Sequence, residues 1–165
     1  MNSLNSPDCI EWHYLAFEAL TTTQLYAVLQ LRSEVFVVEQ ACIFQDLDGA
    51  DDRAMHLLGT LDGAVVAYAR CFGAGIKYAE ASIGRIVTHP SARGGGTGHA
   101  LVEKAIACLL RQHGPLPIRI GAQARLEAFY GRHGFEKSGA PYVEDGIAHI
   151  EMLRSNLTTL KGDTR

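Results

Sequence analysis

A glycine-rich turn between an expected strand and an expected helix is the part of this sequence best suited to bind an anion. It reads Arg93-Gly94-Gly95-Gly96-Thr97-Gly98. Glycines let backbone N–H groups close around phosphate oxygens, and the start of the following helix adds positive partial charge. A Walker A loop does not fit, because His99 and Ala100 stand where Lys and Ser or Thr are required. The dinucleotide fingerprint does not fit either, because its third glycine is displaced by one residue.

Several side chains outside this turn could transfer a proton. Tyr130 lies on the apolar face of a short expected helix, where a tyrosine is ordinarily a core residue. Glu34 and Glu39 lie toward the end of the first expected helix, and His149 lies on one face of the last expected strand. Each of these could act as a base in a cleft or could face solvent, and the sequence leaves both options open.

The loop between residues 40 and 53 carries four aspartates. It lacks the glycine and the glutamate that a calcium loop needs at its sixth and twelfth positions, so the sequence predicts no metal site. Arg70 and Arg85 occupy expected strands. They could recognise a carboxylate on a substrate, or they could be buried arginines paired with Asp46 or Asp48 of that loop.

The elements that must position these residues follow from the spacing of apolar side chains. We expect strands at residues 12–20, 55–61, 64–72, 81–88, 117–123, 135–142 and 147–153. The first helix begins at the capping box Thr21-x-x-Gln24, the second follows Gly98, and a short third helix ends at Gly134. Asp62-Gly63 predicts a two-residue hairpin turn. The order β α β β β α β α β β indicates a mixed α/β fold.

Length and composition bound the class of protein. A length of 165 residues is typical of one domain, which we expect at residues 11–155. We expect a flexible leader at 1–10 and a polar tail at 156–165. Fifteen Lys and Arg against eighteen Asp and Glu give a net charge of −3, which argues against nucleic-acid partners. The start has no signal-peptide pattern, no apolar run approaches the about 20 residues needed to span a bilayer, and the four widely spaced cysteines suit a reducing compartment. We therefore expect a cytoplasmic protein without membrane partners.

The pattern Arg93-x-x-Gly96-x-Gly98, directly after strand 83–90, resembles the acyl-CoA motif of the Gcn5-related N-acetyltransferase (GNAT) superfamily. Residues 128–135 resemble the second motif of that family, a helix whose tyrosine faces the CoA sulfur. Shorter runs resemble the ElaA-like acyltransferases more narrowly; they lie at residues 25–26, 31–32, 35–40, 83–85, 121–124 and 144–147. The resemblance extends over residues 11–153.

This resemblance implies a fold and a set of cofactor contacts. The fold would be a mixed, mostly antiparallel central sheet flanked by helices, with a splayed strand pair that holds acyl-CoA. The co-substrate would be acetyl-CoA or another short acyl-CoA, with no metal. The residues that would contact it are Ile86, Val87, Thr88, Arg93, Gly94, Gly95, Gly96, Thr97, Gly98, Phe129 and Tyr130.

The resemblance also implies catalytic roles. Tyr130 would protonate the departing CoA thiolate, and the backbone N–H near Val87 would stabilise the oxyanion. Many family members carry an acidic base on the strand that corresponds to residues 82–88. This strand contains no Asp or Glu here, and the nearest acidic residue is Glu80. Glu39 and His149 are therefore the base candidates. A base acting through water, or no base, is equally open.

The expected activity is transfer of an acetyl group to a primary amine by direct attack in a ternary complex. The acceptor would be a small molecule or a peptide, and Arg70 and Arg85 are candidates for binding it. A homodimer is compatible with the fold. The alternative function is an acyl-CoA-binding sensor or partner domain with little catalysis.

Overall fold

A computed structural model describes residues 9–156. Within this range one sheet contains eight strands: β1 Glu11–Ala16, β2 Met55–Leu61, β3 Ala64–Phe72, β4 Ala81–Thr88, β5 Ile118–Gln123, β6 Glu136–Lys137, β7 Tyr142–Glu144 and β8 Ile147–Arg154. The helices of the same range are α1 Thr22–Arg32, α2 Thr97–His113 and α3 Glu127–Gly131. The mixed α/β architecture expected from the element order is confirmed.

The sheet runs in the order β1-β2-β3-β4-β5-β8-β6, and β7 also pairs with β8. β4 and β5 are parallel, whereas the other pairs are antiparallel. β4 and β5 pair at Ala81–Ile118 and Ser82–Arg119, near their first residues, and the strands separate beyond these positions. The sheet is therefore mostly antiparallel and is split at its centre, as the family resemblance implies.

The turns and caps predicted from sequence are present. Thr21 accepts a hydrogen bond from Gln24 N–H, and the Gln24 side chain accepts one from Thr21 N–H, which forms the capping box of α1. Asp62 and Gly63 both have positive φ, which is the geometry of a type I′ hairpin turn. After Arg32 the helix continues as a π-helix, Ser33–Glu39. This wider turn carries Glu39 and Gln40 to the mouth of the split sheet.

The two long helices cover opposite faces of the sheet. Leu57 and Ala69 pack in the core under α2, whereas their neighbours Leu58 and Tyr68 pack on the α1 side, because successive side chains of a strand alternate between faces. The apolar stripe predicted for α2 is buried as expected; it consists of Leu101, Val102, Ala105, Ile106 and Leu109.

Two predicted strands differ from the structure. The strand expected at 135–142 is interrupted, because Gly139 adopts φ 105° and Pro141 has no N–H to donate to a neighbouring strand. Only its ends pair with β8, as β6 and β7. The first strand stops at Ala16, and a single 3₁₀ turn at Phe17–Ala19 leads into α1.

Some sequence predictions concern the chain ends and the cysteines. The predicted leader and tail lie outside the described residues except at residues 9, 10 and 156. Ile10 is buried against Val66 and Ala92. Three of the four cysteines are buried as expected, but Cys9 is exposed. None of the helices between residues 9 and 156 is long and apolar enough to cross a bilayer.

Candidate active site

A cleft of about 860 Å³ opens where β4 and β5 separate. One wall is formed by β4 and the loop that precedes it, and the other by β5 and the turn between β7 and β8. One end of the cleft reaches Thr88 and Arg93, next to the glycine-rich turn, and the other end reaches Asp48 and Lys77. The cleft is therefore long enough to join an anion site to a second binding region.

The glycine-rich turn has a backbone that favours glycine. Gly94 and Gly96 adopt φ 86° and 88°, and Gly96 is the N-cap of α2. The first backbone hydrogen bond of α2 runs from Ala100 N–H to Gly96 C=O, so the preceding N–H groups have no partner inside the helix. Thr97 is buried, and its hydroxyl has no partner within residues 9–156. These groups fit the oxygens of a pyrophosphate.

The side chain of Arg93 is paired with the end of the π-helix. Its Nη1 and Nη2 donate to the two carboxylate oxygens of Glu39, and its Nε and Nη2 donate to Thr88 C=O at 3.2 and 3.0 Å. The hydrogen bond from Arg93 lowers the pKa of Glu39 below its usual range. A lower pKa makes Glu39 a weaker base, and a phosphate that binds Arg93 must share it with Glu39.

The register of β4 decides which backbone groups face the gap. His89 N–H donates to Val66 C=O, and Val87 lies opposite Tyr68. Because backbone groups of an antiparallel strand alternate in direction, the Val87 N–H is directed at β3, and the groups of Ile86 and Thr88 face the separated β5. In this register the Val87 N–H predicted as oxyanion donor is directed at β3, and the backbone groups near Val87 that face the gap belong to its two neighbours.

Tyr130 projects from α3 into the cleft. Its ring stands edge-on to those of Phe129 and Phe135, at centroid distances of 5.1 and 6.1 Å. Its hydroxyl makes no hydrogen bond within the described part of the chain, and Tyr130 lines the cleft. Burial raises the pKa of Tyr130 to about 12, so the phenol stays protonated at neutral pH. α2 packs against α3 here, and a Cβ at Gly98 would make an ordinary van der Waals contact with the Phe129 ring at 3.5 Å.

His149 also lines the cleft and is mostly buried. Its Nδ1 lies 2.7 Å from Ile147 C=O, which can only accept, so Nδ1 donates this hydrogen bond. The Tyr142 ring stacks on the imidazole at 5.6 Å. The other ring nitrogen, Nε2, lies 3.9 Å from Glu144 Oε2 at the edge of the cleft.

Arg70 and Arg85 are held by the loop at residues 40–53 that carries four aspartates, which we call the acidic loop. Arg70 is 2% exposed and donates to both oxygens of Asp48 at 2.8 and 2.7 Å, and Arg85 Nε donates to Asp46 at 2.7 Å. Both arginines still line the cleft. Hydrogen bonds from Arg70 hold the pKa of Asp48 well below its usual range, so this carboxyl stabilises the fold above pH about 4 and loses that effect as the pH falls.

Other lining residues were not anticipated from the sequence. Gln123 Nε2 donates to Gln40 Oε1 at 3.2 Å, which connects the end of β5 to the π-helix across the gap. Tyr142 and Tyr78 place their hydroxyls over Gly121, where a Cβ would lie 2.9 and 3.4 Å from them. A glycine inside a strand often marks a position where another group approaches the backbone closely. Gly121 is therefore the feature of the sequence that could have indicated these two tyrosines. Within residues 9–156 no group of three or more His, Cys, Asp or Glu side chains is arranged to hold a metal ion.

Comparisons with known proteins agree with this geometry. The family model for the acetyltransferase (GNAT) domain matches residues 27–155. Protein ElaA of Escherichia coli is 41% identical over 147 residues, which cover 88% of this chain and 96% of ElaA. The crystal structure of an acyl-CoA N-acyltransferase from Pseudomonas aeruginosa superposes with a TM-score of 0.85 at 42% identity, covering 88% of this chain and 99% of that one. The crystal structure of Escherichia coli ElaA gives a TM-score of 0.82 at 40% identity, with the same coverage.

Proposed function

Because this chain belongs to the GNAT acetyltransferase family and is an acyltransferase, we propose that it transfers an acetyl group from acetyl-CoA to a primary amine. The amine nitrogen attacks the thioester carbon directly, the carbon–sulfur bond breaks, and the amide and free CoA leave. The sensor or partner-domain alternative is not favoured, since the chain retains both the glycine-rich turn and a tyrosine that lines the cleft.

The observation that carries the proposal is the position of the β4–β5 gap. It begins after Ser82 and opens directly beside the glycine-rich turn, so one extended molecule can place its phosphates at residues 94–98 and its acyl end inside the cleft. The backbone groups of Ile86 and Thr88 that face the gap can bind the amides of the pantetheine arm as a neighbouring strand would. The Ile86 N–H is then our candidate donor to the thioester oxygen.

We propose that the Tyr130 hydroxyl contacts the sulfur atom of CoA. A thiol has a pKa of about 8.5, so full proton transfer from a phenol of pKa about 12 would be uphill. The phenol instead stabilises the departing thiolate as a hydrogen-bond donor throughout the working pH range. His149 is the better placed of the two base candidates, because its Nε2 makes no hydrogen bond to the described residues and lies 3.9 Å from Glu144 Oε2, whereas both carboxylate oxygens of Glu39 accept hydrogen bonds from Arg93.

Acetyl-CoA is expected to raise the melting temperature of the protein, because a ligand that binds only the folded state stabilises it. At a concentration of about 100 times Kd the gain is about 2.7 kcal/mol. For a chain of this size that corresponds to a rise of roughly 5–10 °C. ATP and NAD serve as controls in the same thermal-shift experiment. No shift with acetyl-CoA, or an equal shift with ATP, contradicts the proposed function.

Replacing Tyr130 with phenylalanine is expected to lower kcat by roughly 10- to 100-fold, because one hydrogen bond to a charged group is worth about 1.5–3 kcal/mol. Affinity for acetyl-CoA should change no more than a few-fold, and the kcat–pH profile should show no tyrosine ionisation below pH about 10. Release of free thiol measures turnover. Tyr26→Phe is the matched control, because Tyr26 is 73% exposed. An unchanged kcat in Tyr130→Phe removes Tyr130 from this role.

A further inference from the structure

Three cationic side chains line the end of the cleft that lies away from the glycine-rich turn. Arg70 comes from β3, Lys77 from the loop between β3 and β4, and Arg85 from β4. We refer to these three residues as the cationic wall. The carboxylates of the acidic loop hold the wall in place, since Arg70 and Lys77 both donate to Asp48, and Arg85 donates to Asp46.

The cationic wall keeps hydrogen-bond donors that the protein does not use. Arg70 Nε is buried and has no partner within the described residues. Arg85 donates through Nε and Nη2, and its Nη1 makes no hydrogen bond to the described part of the chain. A guanidinium has five N–H groups and an ammonium has three, so Arg85 Nη1 and the unused N–H groups of Lys77 remain available to a ligand, whereas the buried Arg70 Nε is not accessible to one.

The charge of this region also favours an anion. Arg32 and the three residues of the cationic wall are four cations in contact with the carboxylates of Asp46, Asp48 and Asp51. Four cations against three carboxylates leave one positive charge. Burial of Arg32 and Arg70 reduces the screening of that charge by water.

Arg85 is brought to the cleft by an unusual backbone. It adopts φ 49°, a left-handed conformation in which a non-glycine residue is strained, at a register shift between β3 and β4. Such strain persists where the surrounding structure requires it and often accompanies a functional site. The bulge keeps the Arg85 side chain at the cleft, where it is 24% exposed.

The opposite wall carries the other sign of charge. Glu144 and Asp145, at the turn between β7 and β8, line the cleft together with His149. An ammonium group is attracted to this turn, and Nε2 of His149, which lies 3.9 Å from Glu144 Oε2, is the nearby atom that can take its proton. Arg85 precedes Ile86, our candidate donor to the thioester oxygen, by one residue. The cationic wall therefore adjoins the part of the cleft that we assign to the thioester.

From this geometry we propose that the acceptor is an amine that also bears a carboxylate, of the free amino acid class. The carboxylate binds the remaining donors of the cationic wall, and the amine faces the acidic turn and the thioester. The product is then an N-acylated amino acid. This inference rests on the proposed acyltransferase function and adds to it the chemical class of the acceptor.

The experiment compares acceptors that differ in the carboxylate alone. Alanine, leucine and phenylalanine are each tested beside their amides and their decarboxylated amines, with acetyl-CoA as donor and free-thiol release as the readout. We expect kcat/KM to be at least tenfold higher for the acids. The amide is the stricter comparison, because its amine is less basic and a larger fraction of it is neutral and reactive at pH 7.5. Equal or better turnover of the amides overturns the inference.

Variants test whether the cationic wall is responsible. Arg85→Gln and Lys77→Gln are expected to lower kcat/KM for the acids at least fivefold more than for the amides, and Arg85→Lys should restore part of the difference. Arg111→Gln, at an exposed position on α2, is the control. Lys77 is 38% exposed, so its replacement leaves the fold intact even if Arg85→Gln does not. An equal loss for acids and amides contradicts a role in carboxylate recognition.

A binding measurement keeps the inference testable without turnover. In the presence of CoA, N-acetylleucine is expected to bind at least tenfold more tightly than N-acetylleucinamide by calorimetry, and Lys77→Gln should reduce this difference. Failure of acetyl-CoA to stabilise the protein counts against the proposed function. Acetyl-CoA binding with no preference for the carboxylate counts against the acceptor class alone.

Discussion

Replacing Gly96 with aspartate is expected to lower the affinity for acetyl-CoA by about a thousandfold. Gly96 is the N-cap of α2 and lies in the turn that we assign to the pyrophosphate. A carboxylate at about 4 Å from one phosphate charge costs about 4 kcal/mol at an effective dielectric constant of 20. A free-energy change of about 1.4 kcal/mol is tenfold in affinity, which gives the thousandfold loss. Calorimetric titration with acetyl-CoA measures it.

Gly96→Asn is the matched control for this substitution. Asparagine has nearly the same shape as aspartate and is among the residues that best tolerate the left-handed backbone of Gly96, at φ 88°. It therefore contributes the same backbone strain without the charge, and we expect a loss of less than about tenfold. If the two variants bind acetyl-CoA with similar affinity, the turn does not hold a phosphate.

Replacing Asp46 with asparagine is expected to lower the free energy of unfolding by about 3–5 kcal/mol. The Asp46 carboxylate is 5% exposed and accepts hydrogen bonds from Arg32 at 2.8 Å and from Arg85 at 2.7 Å. Arg32 is fully buried, so loss of the carboxylate leaves its charge only partly compensated, by Asp51. Urea unfolding followed by circular dichroism measures the change, and the melting temperature should fall by roughly 10 °C.

The control for this variant is Asp52→Asn. Asp52 lies in the same acidic loop, but its carboxylate is 63% exposed and lies 3.9 Å from Arg53. Exposed pairs of this kind contribute at most about 1 kcal/mol, so the variant should unfold close to wild type. Equal stability of the Asp46 and Asp52 variants would show that the buried network does not stabilise the fold.

Features that depend on neighbouring residues were accessible from the sequence. Three such features are present: the capping box at Thr21 and Gln24, the Asp62-Gly63 hairpin turn and the glycine-rich turn before α2. Each of them depends only on hydrogen bonds and φ angles within a few neighbouring residues. The strand 81–88 has the bounds predicted for it. Local hydrogen bonding and the φ freedom of glycine are sufficient for such elements.

Features that join distant parts of the chain were not accessible. The interruption of the strand predicted at 135–142 depends on which of its residues reach β8, and the direction of the Val87 backbone depends on a register shift between β3 and β4. The pairing of Arg93 with Glu39 joins residues 54 positions apart. No pattern in a single sequence specifies such contacts. The roles of the site residues, the cytoplasmic location and a homodimer stay predictions.

The sequence by itself determined the family, the order of the elements and the place of the glycine-rich turn, because periodicity and motif spacing depend on residues that are close together in the chain. The tertiary structure alone decided which partners the arginines have. Sequence left Arg70 and Arg85 open between substrate binding and pairing with the loop at residues 40–53, and the structure shows the pairing, with Asp48 and Asp46, while substrate binding stays a proposal. Both arginines line the cleft, and Arg85 Nη1 makes no hydrogen bond within residues 9–156. The burial and the ion pairing of these arginines depend on contacts between residues 46–51, 70 and 85. These residues are far apart in the sequence, so the sequence alone does not predict that they meet.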